Sequence, residues 1–190
     1  MVGLQKEFNK LTRSYKLIVL DLDGTLVDLN VDWVNLRKEL ESLFLEDTGE
    51  LTQFSPLNQK LLEIKKSFGT KLHQKLLRSI ERYELEEKNY VVNHRLIQLI
   101  ENSDHKIAIY SMNSEKCVRA FVKKNLTKKP EIIISKETCT EPKPTGADLK
   151  KLINQINLEQ KDVLFIGNTE EDRLSGRLAK VDTVIIKSIK

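Results

Sequence analysis

Five short runs of apolar residues, separated by longer and more polar segments, set the hydropathy pattern of the chain. Each run is rich in β-branched residues and too short for a helix, so each predicts a β-strand. Because the runs are apolar throughout, we expect both faces of the strands to be covered, as they are in a parallel sheet. The five predicted strands span residues 16–20, 106–110, 131–135, 162–166 and 182–186.

Apolar residues recur at helical spacing between the last four of these runs, over residues 114–125, 145–157 and 170–180. Strands that alternate with helices in this way are typical of βαβ units. The pattern therefore predicts an α/β fold whose core is a doubly wound parallel sheet of the Rossmann-like class.

A long segment without a strand signal separates the first predicted strand from the second. Its apolar residues form three stripes at helical spacing, which predicts helices. We therefore expect residues 29–90 to form a small all-helical domain inserted after the first strand, and residues 1–28 and 91–190 to form the α/β core domain. The segment 91–100 resembles a crossover helix that leads into the second strand. The stripes consist of Trp33, Leu36, Leu40 and Leu43, of Leu57, Leu61, Ile64 and Phe68, and of Leu72, Leu76, Ile80 and Tyr83.

The composition of the 190 residues is typical of a water-soluble globular protein, with 39% hydrophobic and 32% charged residues. The net charge of +4 is weak evidence for nucleic-acid binding, because solvated lysines and glutamates on helix faces explain it better. Neither a signal peptide nor a membrane span of roughly 20 apolar residues is evident. We therefore expect a cytoplasmic protein, monomeric or homodimeric, that binds neither membranes nor nucleic acids.

Polar side chains follow four of the predicted strands. In open α/β sheets, ligands bind outside the carboxyl ends of the strands, so these residues are candidates for a shared site. They are Asp21, Asp23, Gly24 and Thr25 after the first strand, Ser111, Met112 and Asn113 after the second, Lys143 between two prolines beyond the third, and Gly167, Asn168, Glu171 and Asp172 after the fourth.

This combination of carboxylates, a hydroxyl and a lysine suits phosphoryl transfer. One carboxylate can attack phosphorus and form an aspartyl-phosphate, while a second, held protonated, can act as general acid and then as base for water. Two unit charges about 4 Å apart repel by roughly 4 kcal/mol at an effective dielectric constant of 20, so an anionic nucleophile needs a cation beside an anionic ester. Mg²⁺ and a lysine would supply that positive charge.

Four motifs carry a resemblance to a known family. The stretches DLDGTLVD, YSMNS, EPKP and GNTEED, in this order along the chain, resemble the four motifs of the haloacid dehalogenase superfamily. They are most similar to its phosphatases with an inserted helical cap, the phosphoglycolate phosphatase-like group. The likeness covers nearly the whole chain. It implies a Mg²⁺-dependent phosphatase that acts on a small phosphorylated metabolite, such as a phosphoglycolate-like compound or a sugar phosphate.

The resemblance also implies roles for individual residues. Asp21 would be the nucleophile and a metal ligand, and Asp23 would be the acid/base and offer its backbone carbonyl to the metal. Lys143 would bridge the nucleophile and the phosphoryl group. The implied phosphate-binding residues are Gly24, Thr25, Ser111, Met112, Asn113 and Lys143, and the implied metal ligands are Asp21, Asp23, Asn168 and Asp172.

The last motif departs from the family pattern. The family usually has GDxxxD there, whereas this chain has Asn168 in place of the first aspartate and keeps Asp172. An amide oxygen is a hard ligand but carries no charge, so we expect weaker Mg²⁺ binding, or a larger share of the metal's charge on Asp172 and Glu171. The substitution also leaves open a non-catalytic descendant of the fold that serves as a binding or regulatory protein.

Two enzymatic alternatives share the fold. A dehalogenase would keep the nucleophile, but Asp23 argues against it because the dehalogenases of the family lack the second aspartate. A phosphomutase would share every core residue named above, so the motifs do not separate it from a phosphatase.

Several candidates also have a purely structural interpretation. Asp21 and Asp23 fit a turn after a strand, and Lys143 fits an exposed surface lysine. Ser111 fits a helix N-cap, although Ser114 fits that cap better. Asp172 fits a carboxylate that complements the dipole at a helix N-terminus.

Overall fold

The computed structural model of the protein describes residues 2–86 and 89–188. The chain divides into two compact units, one formed by Met1–Leu29 with Tyr90–Lys190 and the other by Asn30–Asn89. The first unit contains the strands and five of the α-helices among the described residues, and the second contains three helices.

The α-helices are α1 (Val2–Thr12), α2 (Trp33–Thr48), α3 (Leu57–Phe68), α4 (Thr70–Glu86), α5 (His94–Glu101), α6 (Glu115–Asn125), α7 (Ala147–Gln155) and α8 (Glu170–Ala179). The strands are β1 (Leu17–Leu20), β2 (Val27–Asp28), β3 (Val91–Val92), β4 (Lys106–Tyr110), β5 (Ile133–Ile134), β6 (Val163–Gly167) and β7 (Asp182–Ile185). A short 3-10 helix at Gln160–Asp162 precedes β6.

Five of the strands form a parallel sheet in the order β5-β4-β1-β6-β7. The central strand β1 pairs on one side with β4, where Leu17 lies opposite Lys106, and on the other with β6, where Leu17 lies opposite Val163. All four residues of β1 are fully buried, as expected for a strand covered on both faces. The predicted α/β fold with a parallel central sheet is therefore confirmed.

One face of the sheet packs against α7 and α8 in a continuous hydrophobic cluster. Leu17 and Val19 of β1 point to this face, and Ile18 and Leu20 alternate with them along the strand. The other buried members of the cluster are Ala108, Tyr110, Ile134, Leu149, Leu152, Ile153, Val163, Phe165, Ala179 and Val181.

A small antiparallel pair, β2 with β3, changes one sequence-based expectation. Val27 pairs with Val92 and Asp28 with Val91, so the segment 91–100 is not helical from its first residue. Helix α5 begins at His94, where the side chain of Asn93 accepts a hydrogen bond from the backbone N–H of Leu96 at 3.1 Å. An N-cap asparagine satisfies one of the donors that a helix start leaves unpaired.

Helix α1 has no counterpart in the sequence-based prediction. The side-chain amide of Gln5 in α1 donates a hydrogen bond to the carbonyl of Leu99 in α5 at 3.0 Å. The hydroxyl of Thr12 lies 2.7 Å from Nε2 of His105, just before β4. Among the helices of the described part of the chain, none is both long and apolar enough to cross a membrane. The cytoplasmic location and the oligomeric state stay predictions.

The second unit is helical, as predicted for the insertion, but its buried stripe on α2 is shifted by one position. Phe44 is buried and Leu43 is only half-buried, and Phe68 is exposed. Phe44 makes edge-to-face ring contacts with Phe54 and with Phe68. The buried hydrophobic residues of this unit outside the aromatics are Val31, Leu36, Leu40, Leu61, Ile64, Leu72, Leu76 and Ile80.

Candidate active site

Asp21 is the first residue after the central strand β1, and its position follows from the sheet. Its backbone N–H donates to the carbonyl of Ile166 in β6 at 2.9 Å, so the parallel pairing of the two strands continues through this residue. The side chain is only 7% exposed. A carboxylate buried at this depth needs a compensating partner.

That partner is Lys143. Its ammonium nitrogen Nζ lies 2.7 Å from Oδ1 of Asp21 and 2.6 Å from Oδ1 of Asp172. All three residues are almost fully buried, with exposures of 7% for Asp21, 3% for Lys143 and 1% for Asp172. Lys143 is therefore not the exposed surface lysine of the structural interpretation. One ammonium shared by two carboxylates leaves a net negative charge in a region shielded from water.

Two aromatic rings flank the ammonium of Lys143. It lies 4.8 Å from the ring centroid of Tyr110, at the end of β4, and 5.3 Å from that of Phe165 in β6. Cations are attracted to the faces of aromatic rings at such distances. Sequence reasoning missed both residues. For Tyr110 the available signal was an aromatic side chain at the carboxyl end of its strand, directly before Ser111; Phe165 lies in the middle of β6 and gave no such signal.

The buried charges shift one another's pKa values. Burial raises the pKa of Asp21 to about 6; Lys143 opposes this rise, and the nearby carboxylates of Asp172 and Asp23 add to it. Burial by itself would lower the pKa of Lys143, but the two carboxylates outweigh that effect and raise it. Burial likewise works to raise the pKa of Asp172, but Lys143 and the donors of Thr169 hold it below its ordinary value.

Asp172 has a structural role as well as its ion pair. It is the third residue of α8, and its Oδ2 accepts hydrogen bonds from the backbone N–H groups of Asn168 and Thr169, at 3.1 and 2.9 Å, and from the Thr169 hydroxyl at 2.6 Å. Thr169 and Asp172 together form a capping box. A Cβ atom at Gly167 would lie 2.5 Å from Cγ of Asp172, so this approach requires glycine.

The side chain of Thr25 lies between Asp21 and Asn168, the asparagine of the last motif. Its hydroxyl lies 3.2 Å from Oδ2 of Asp21 and 3.1 Å from Oδ1 of Asn168. Gly24 has a φ of +80°, and a Cβ at this residue would lie 2.1 Å from Nδ2 of Asn168. The Asn168 side chain therefore packs directly over the Gly24 backbone, and only glycine suits both the conformation and the contact.

A second group of candidates lies at the end of β4. The Ser111 hydroxyl donates to Oδ1 of Asn113 at 2.7 Å, and the backbone N–H of Asn113 donates back to Ser111 Oγ at 3.2 Å. Both side chains are buried. Ser114 caps α6 by accepting from the N–H of Cys117, so Ser111 is not the helix cap. Met112 packs its side chain against the hydrophobic cluster, and its role in phosphate binding stays a prediction.

Asp23 is half-buried, and its Oδ1 accepts a hydrogen bond from the N–H of Leu29 at 2.9 Å. The turn that carries it is closed by the N–H of Gly24, which donates to the carbonyl of Val27 at 2.6 Å. Glu171 lies in the first turn of α8, and partial desolvation of its carboxyl raises its pKa, although the residue as a whole is exposed. Hydrogen bonds thus join Asp21, Thr25, Lys143, Asn168 and Asp172 into one cluster, with Ser111 and Asn113 forming a separate pair.

The oxygen donors beside Thr25 fit a magnesium ion that uses few carboxylates. Asp21 Oδ2 and Asn168 Oδ1 both lie within 3.2 Å of the same hydroxyl, so two hard donors converge at one point. In the described parts of the chain, no group of three His, Cys, Asp or Glu side chains is placed to hold a metal. Mg²⁺ commonly binds one or two carboxylates and completes its shell with water and substrate phosphate. Both oxygens of Asp172 already have partners, as do both oxygens of Asp21, and the ligand roles of Asp21, Asp23, Asn168 and Asp172 stay predictions.

A family model for haloacid dehalogenase-like hydrolases matches residues 18–186 of the chain. The chain belongs to the haloacid dehalogenase-like hydrolase family. This match confirms the resemblance drawn from the four motifs and the prediction that the chain is a hydrolase. It begins at the second residue of β1 and includes the other four strands of the parallel sheet and the helical insertion.

Relatives of this haloacid dehalogenase-like hydrolase include a protein named phosphoglycolate phosphatase from Aquifex aeolicus. It is 24% identical over 179 residues, which cover 90% of this chain and 84% of the relative. A structure described as a predicted phosphoglycolate phosphatase from Haemophilus somnus matches with a TM-score of 0.61 at 18% identity, covering 90% of this chain and 85% of the other. A hydrolase of the same superfamily from Ehrlichia chaffeensis matches with a TM-score of 0.56 at 22% identity, over 92% and 87% of the two chains. These similarities support the fold.

Proposed function

We propose that this chain is a Mg²⁺-dependent phosphatase that hydrolyses a small phosphorylated metabolite through an aspartyl-phosphate on Asp21. The observation that supports this most strongly is the buried ion pair between Asp21 and Lys143, at 2.7 Å, at the carboxyl end of the central strand. The names of the relatives agree, since one of them is called a phosphoglycolate phosphatase. A phosphoglycolate-like compound or a sugar phosphate is the substrate class that we propose.

Asp21 meets the requirements of a nucleophile toward an anionic ester. With a pKa raised to about 6, its carboxyl is mostly ionised at neutral pH. The ammonium of Lys143, at 2.7 Å, offsets the repulsion between this carboxylate and an approaching phosphoryl group. Because Lys143 keeps its proton, its positive charge persists throughout the pH range in which Asp21 is ionised.

The proposed reaction has two displacements at phosphorus. A carboxylate oxygen of Asp21 forms a bond to phosphorus while the bond to the ester oxygen breaks, and the protonated carboxyl of Asp23 gives its proton to the leaving alkoxide. Asp23 then takes a proton from water, whose oxygen attacks the aspartyl-phosphate and releases inorganic phosphate. The N–H of Leu29, 2.9 Å from Oδ1 of Asp23, orients this second carboxyl.

The phosphoryl oxygens would be bound by groups at the ends of β1 and β4. We assign this role to the Ser111 hydroxyl, to Lys143, and to Gly24, Thr25, Met112 and Asn113. Preorganised donors of this kind stabilise charge that develops in the transition state. The Ser111 hydroxyl donates its one proton to Asn113, so this proton would have to turn from Asn113 to a phosphoryl oxygen when a phosphate binds.

A magnesium ion would be held by the carboxylate of Asp21, the backbone carbonyl of Asp23 and the amide oxygen of Asn168, with Asp172 and Glu171 contributing charge nearby. When bound, such an ion would neutralise part of the phosphoryl charge. Thr25 positions two of these donors, because its hydroxyl lies within hydrogen-bond distance of both Asp21 and Asn168.

Hydrolysis of p-nitrophenyl phosphate in the presence of Mg²⁺ tests the proposal, with Asp21→Asn as the control. We expect release of phosphate by the unaltered chain and none above background by the variant. A panel of metabolite phosphates, with products analysed both for free phosphate and for isomerised ester, then separates a phosphatase from a phosphomutase. Activity that Asp21→Asn retains would contradict the proposal.

A binding or regulatory protein is the second candidate, and Asn168 is the observation that favours it. Its amide oxygen accepts a hydrogen bond from Thr25 at 3.1 Å without the charge that a carboxylate would bring. Such a protein would bind phosphorylated compounds, detectable by calorimetry, but would not turn them over. Absence of hydrolysis with every metabolite in the panel, together with measurable binding, would favour this alternative.

A further inference from the structure

Asp148 is a buried carboxylate outside the cluster around Asp21. It is the second residue of α7 and is only 2% exposed. Its oxygens accept hydrogen bonds from residues of the preceding loop: from the Cys139 thiol at 3.0 Å, from the N–H and hydroxyl of Thr140 at 2.8 and 2.6 Å, and from the N–H of Glu141 at 3.0 Å. A carboxylate on the surface accepts hydrogen bonds from water, whereas the buried carboxylate of Asp148 accepts them from these protein groups.

These contacts are not those of an ordinary helix cap. The N-cap of α7 is Gly146, which has no side chain to offer. The carboxylate of Asp148 instead turns back to backbone N–H groups of the loop, which would otherwise need other partners. Burial works to raise the pKa of Asp148, but the donors from Thr140, Cys139 and Glu141 outweigh it and lower the pKa, so the residue accepts as a carboxylate.

The loop that Asp148 holds is the loop that carries Lys143. The segment 139–141 ends two residues before Lys143. The ammonium of Lys143 donates hydrogen bonds to Asp21 and Asp172. Gly146 closes the loop on the far side with a φ of +70°, where an added Cβ would lie 2.5 Å from the carbonyl oxygen of Ser175 in α8. The backbone on both sides of Lys143 is therefore fixed.

We propose that Asp148 is a positioning residue for Lys143: it fixes the loop 139–141 so that the ammonium lies between Asp21 and Asp172. This inference rests on the function proposed for Lys143. It differs from a purely stabilising role, because it requires that the environment of the Lys143 ammonium change when the carboxylate is removed. Two short contacts, 2.7 Å to Asp21 and 2.6 Å to Asp172, constrain the ammonium, so a shift of the loop backbone would lengthen at least one of them or force a new side-chain conformation.

The test compares two substitutions of Asp148 that differ in hydrogen bonding. Asp148→Ala removes every acceptor. Asp148→Asn keeps one oxygen for the N–H groups of Thr140 and Glu141, while its amide can donate to the Thr140 hydroxyl. Asp162→Ala is the matched control, because Asp162 is also a buried aspartate in a short turn, 8% exposed, but it lies before the amino end of β6.

The decisive readout is the 15N signal of the Lys143 ammonium in NMR spectra, assigned with Lys143→Met. A buried, hydrogen-bonded ammonium exchanges slowly enough to be observed. We expect Asp148→Ala to shift or abolish this signal, and we expect Asp148→Asn and Asp162→Ala to leave it in place. Where hydrolysis is measurable, Asp148→Ala should lower kcat by about 10- to 100-fold with little change in KM, since misplacement costs orientation.

An unchanged ammonium signal in folded Asp148→Ala would overturn the inference, even if the variant is less stable. If Asp148→Ala does not fold, Thr140→Val is used instead, because it removes one donor to Asp148 from an exposed residue of the loop. The 15N signal of the Lys143 ammonium should then shift, and an unchanged signal would overturn the inference. The signal does not depend on turnover. A chain without phosphatase activity would contradict the proposed function and would leave this test of Asp148 intact.

Discussion

The ammonium of Lys143 lies 2.7 Å from Oδ1 of Asp21, and neither side chain has appreciable contact with water. The same ammonium is 2.6 Å from Asp172. Removing one partner of a buried charge group is costly, because the remaining charges lose their compensation without regaining solvent. The stability of the α/β unit should therefore depend strongly on this lysine.

Lys143→Met tests this dependence. The substitution leaves two neighbouring carboxylates buried without their ammonium, so we expect the free energy of unfolding to fall by about 3–5 kcal/mol at neutral pH. Urea denaturation measures the change. Lys151→Met is the control, since its side chain is 62% exposed and its ion pair with Asp148, at 3.7 Å, should contribute about 1 kcal/mol or less. Equal effects of the two substitutions would contradict the prediction.

The raised pKa of Asp21 predicts a pH dependence of stability. Its pKa is about 6 in the folded chain against an ordinary value of 3.8, so the folded state binds this proton more tightly than the unfolded state does. The stabilisation that the Asp21 carboxyl gives to the folded chain by binding its proton is therefore fully present below about pH 4. It is lost as the pH rises through about 6. Relative to Asp21→Asn, the metal-free chain should lose on the order of 2 kcal/mol over this interval.

Denaturant titrations of both proteins in EDTA, at intervals from pH 4 to pH 7, give this difference directly. The Asp21→Asn variant lacks the titrating carboxyl, so its stability shows the pH dependence that comes from all the other groups of the chain. A stability difference that stays constant across the interval, or that changes in the opposite direction, would show that Lys143 rather than burial dominates the pKa of Asp21.

Asn168→Asp tests the role of the uncharged amide. A carboxylate at this position adds a negative charge beside Asp21, so we expect Mg²⁺ to bind about tenfold more tightly, equivalent to about 1.4 kcal/mol. Calorimetric titration with Mg²⁺ measures the affinity without requiring turnover, and the Mg²⁺ concentration for half-maximal activity checks it. Asn154→Asp in α7 is the control for a general change in charge. An unchanged Mg²⁺ affinity in Asn168→Asp would contradict our account of the site.

Gly167→Ala tests the close approach of Asp172 to the end of β6. The added methyl group would lie 2.5 Å from Cγ of Asp172, so the carboxylate must move and its contact with Lys143 must weaken. We expect a loss of about 1–3 kcal/mol in stability, typical of overpacking, and a marked loss of activity. Gly3→Ala is the control, because no atom lies within 4 Å of its added Cβ. Full activity in Gly167→Ala would contradict the prediction.

The central strands could be predicted from the sequence because local patterns determine them. A buried strand such as Leu17–Leu20 must be apolar along its whole length, and that pattern is visible in any window. The pair Val27–Asp28 with Val91–Val92 was missed, since two-residue strands leave no periodicity and their partner lies far along the chain. On α2, burial of Phe44 instead of Leu43 reflects packing against Phe54, which the spacing of one helix does not reveal.

The candidate site was predictable in its members but not in their contacts. The rule that ligands bind at the carboxyl ends of parallel strands selected Asp21, Lys143 and Asp172. That one lysine bridges both aspartates, 122 and 29 positions away, depends on tertiary packing. Asp148 gave no signal at all, because an aspartate at the start of a helix usually faces solvent.

The antiparallel pairing of Val27–Asp28 with Val91–Val92 has a consequence for how such enzymes diversify. It brings together the two points at which the intervening sixty-odd residues depart and return, so the span can grow, shrink or be exchanged at small entropic penalty. Recombination at this seam would exchange the helical unit, while Asp21, Lys143 and Asp172 are all inherited with the α/β unit.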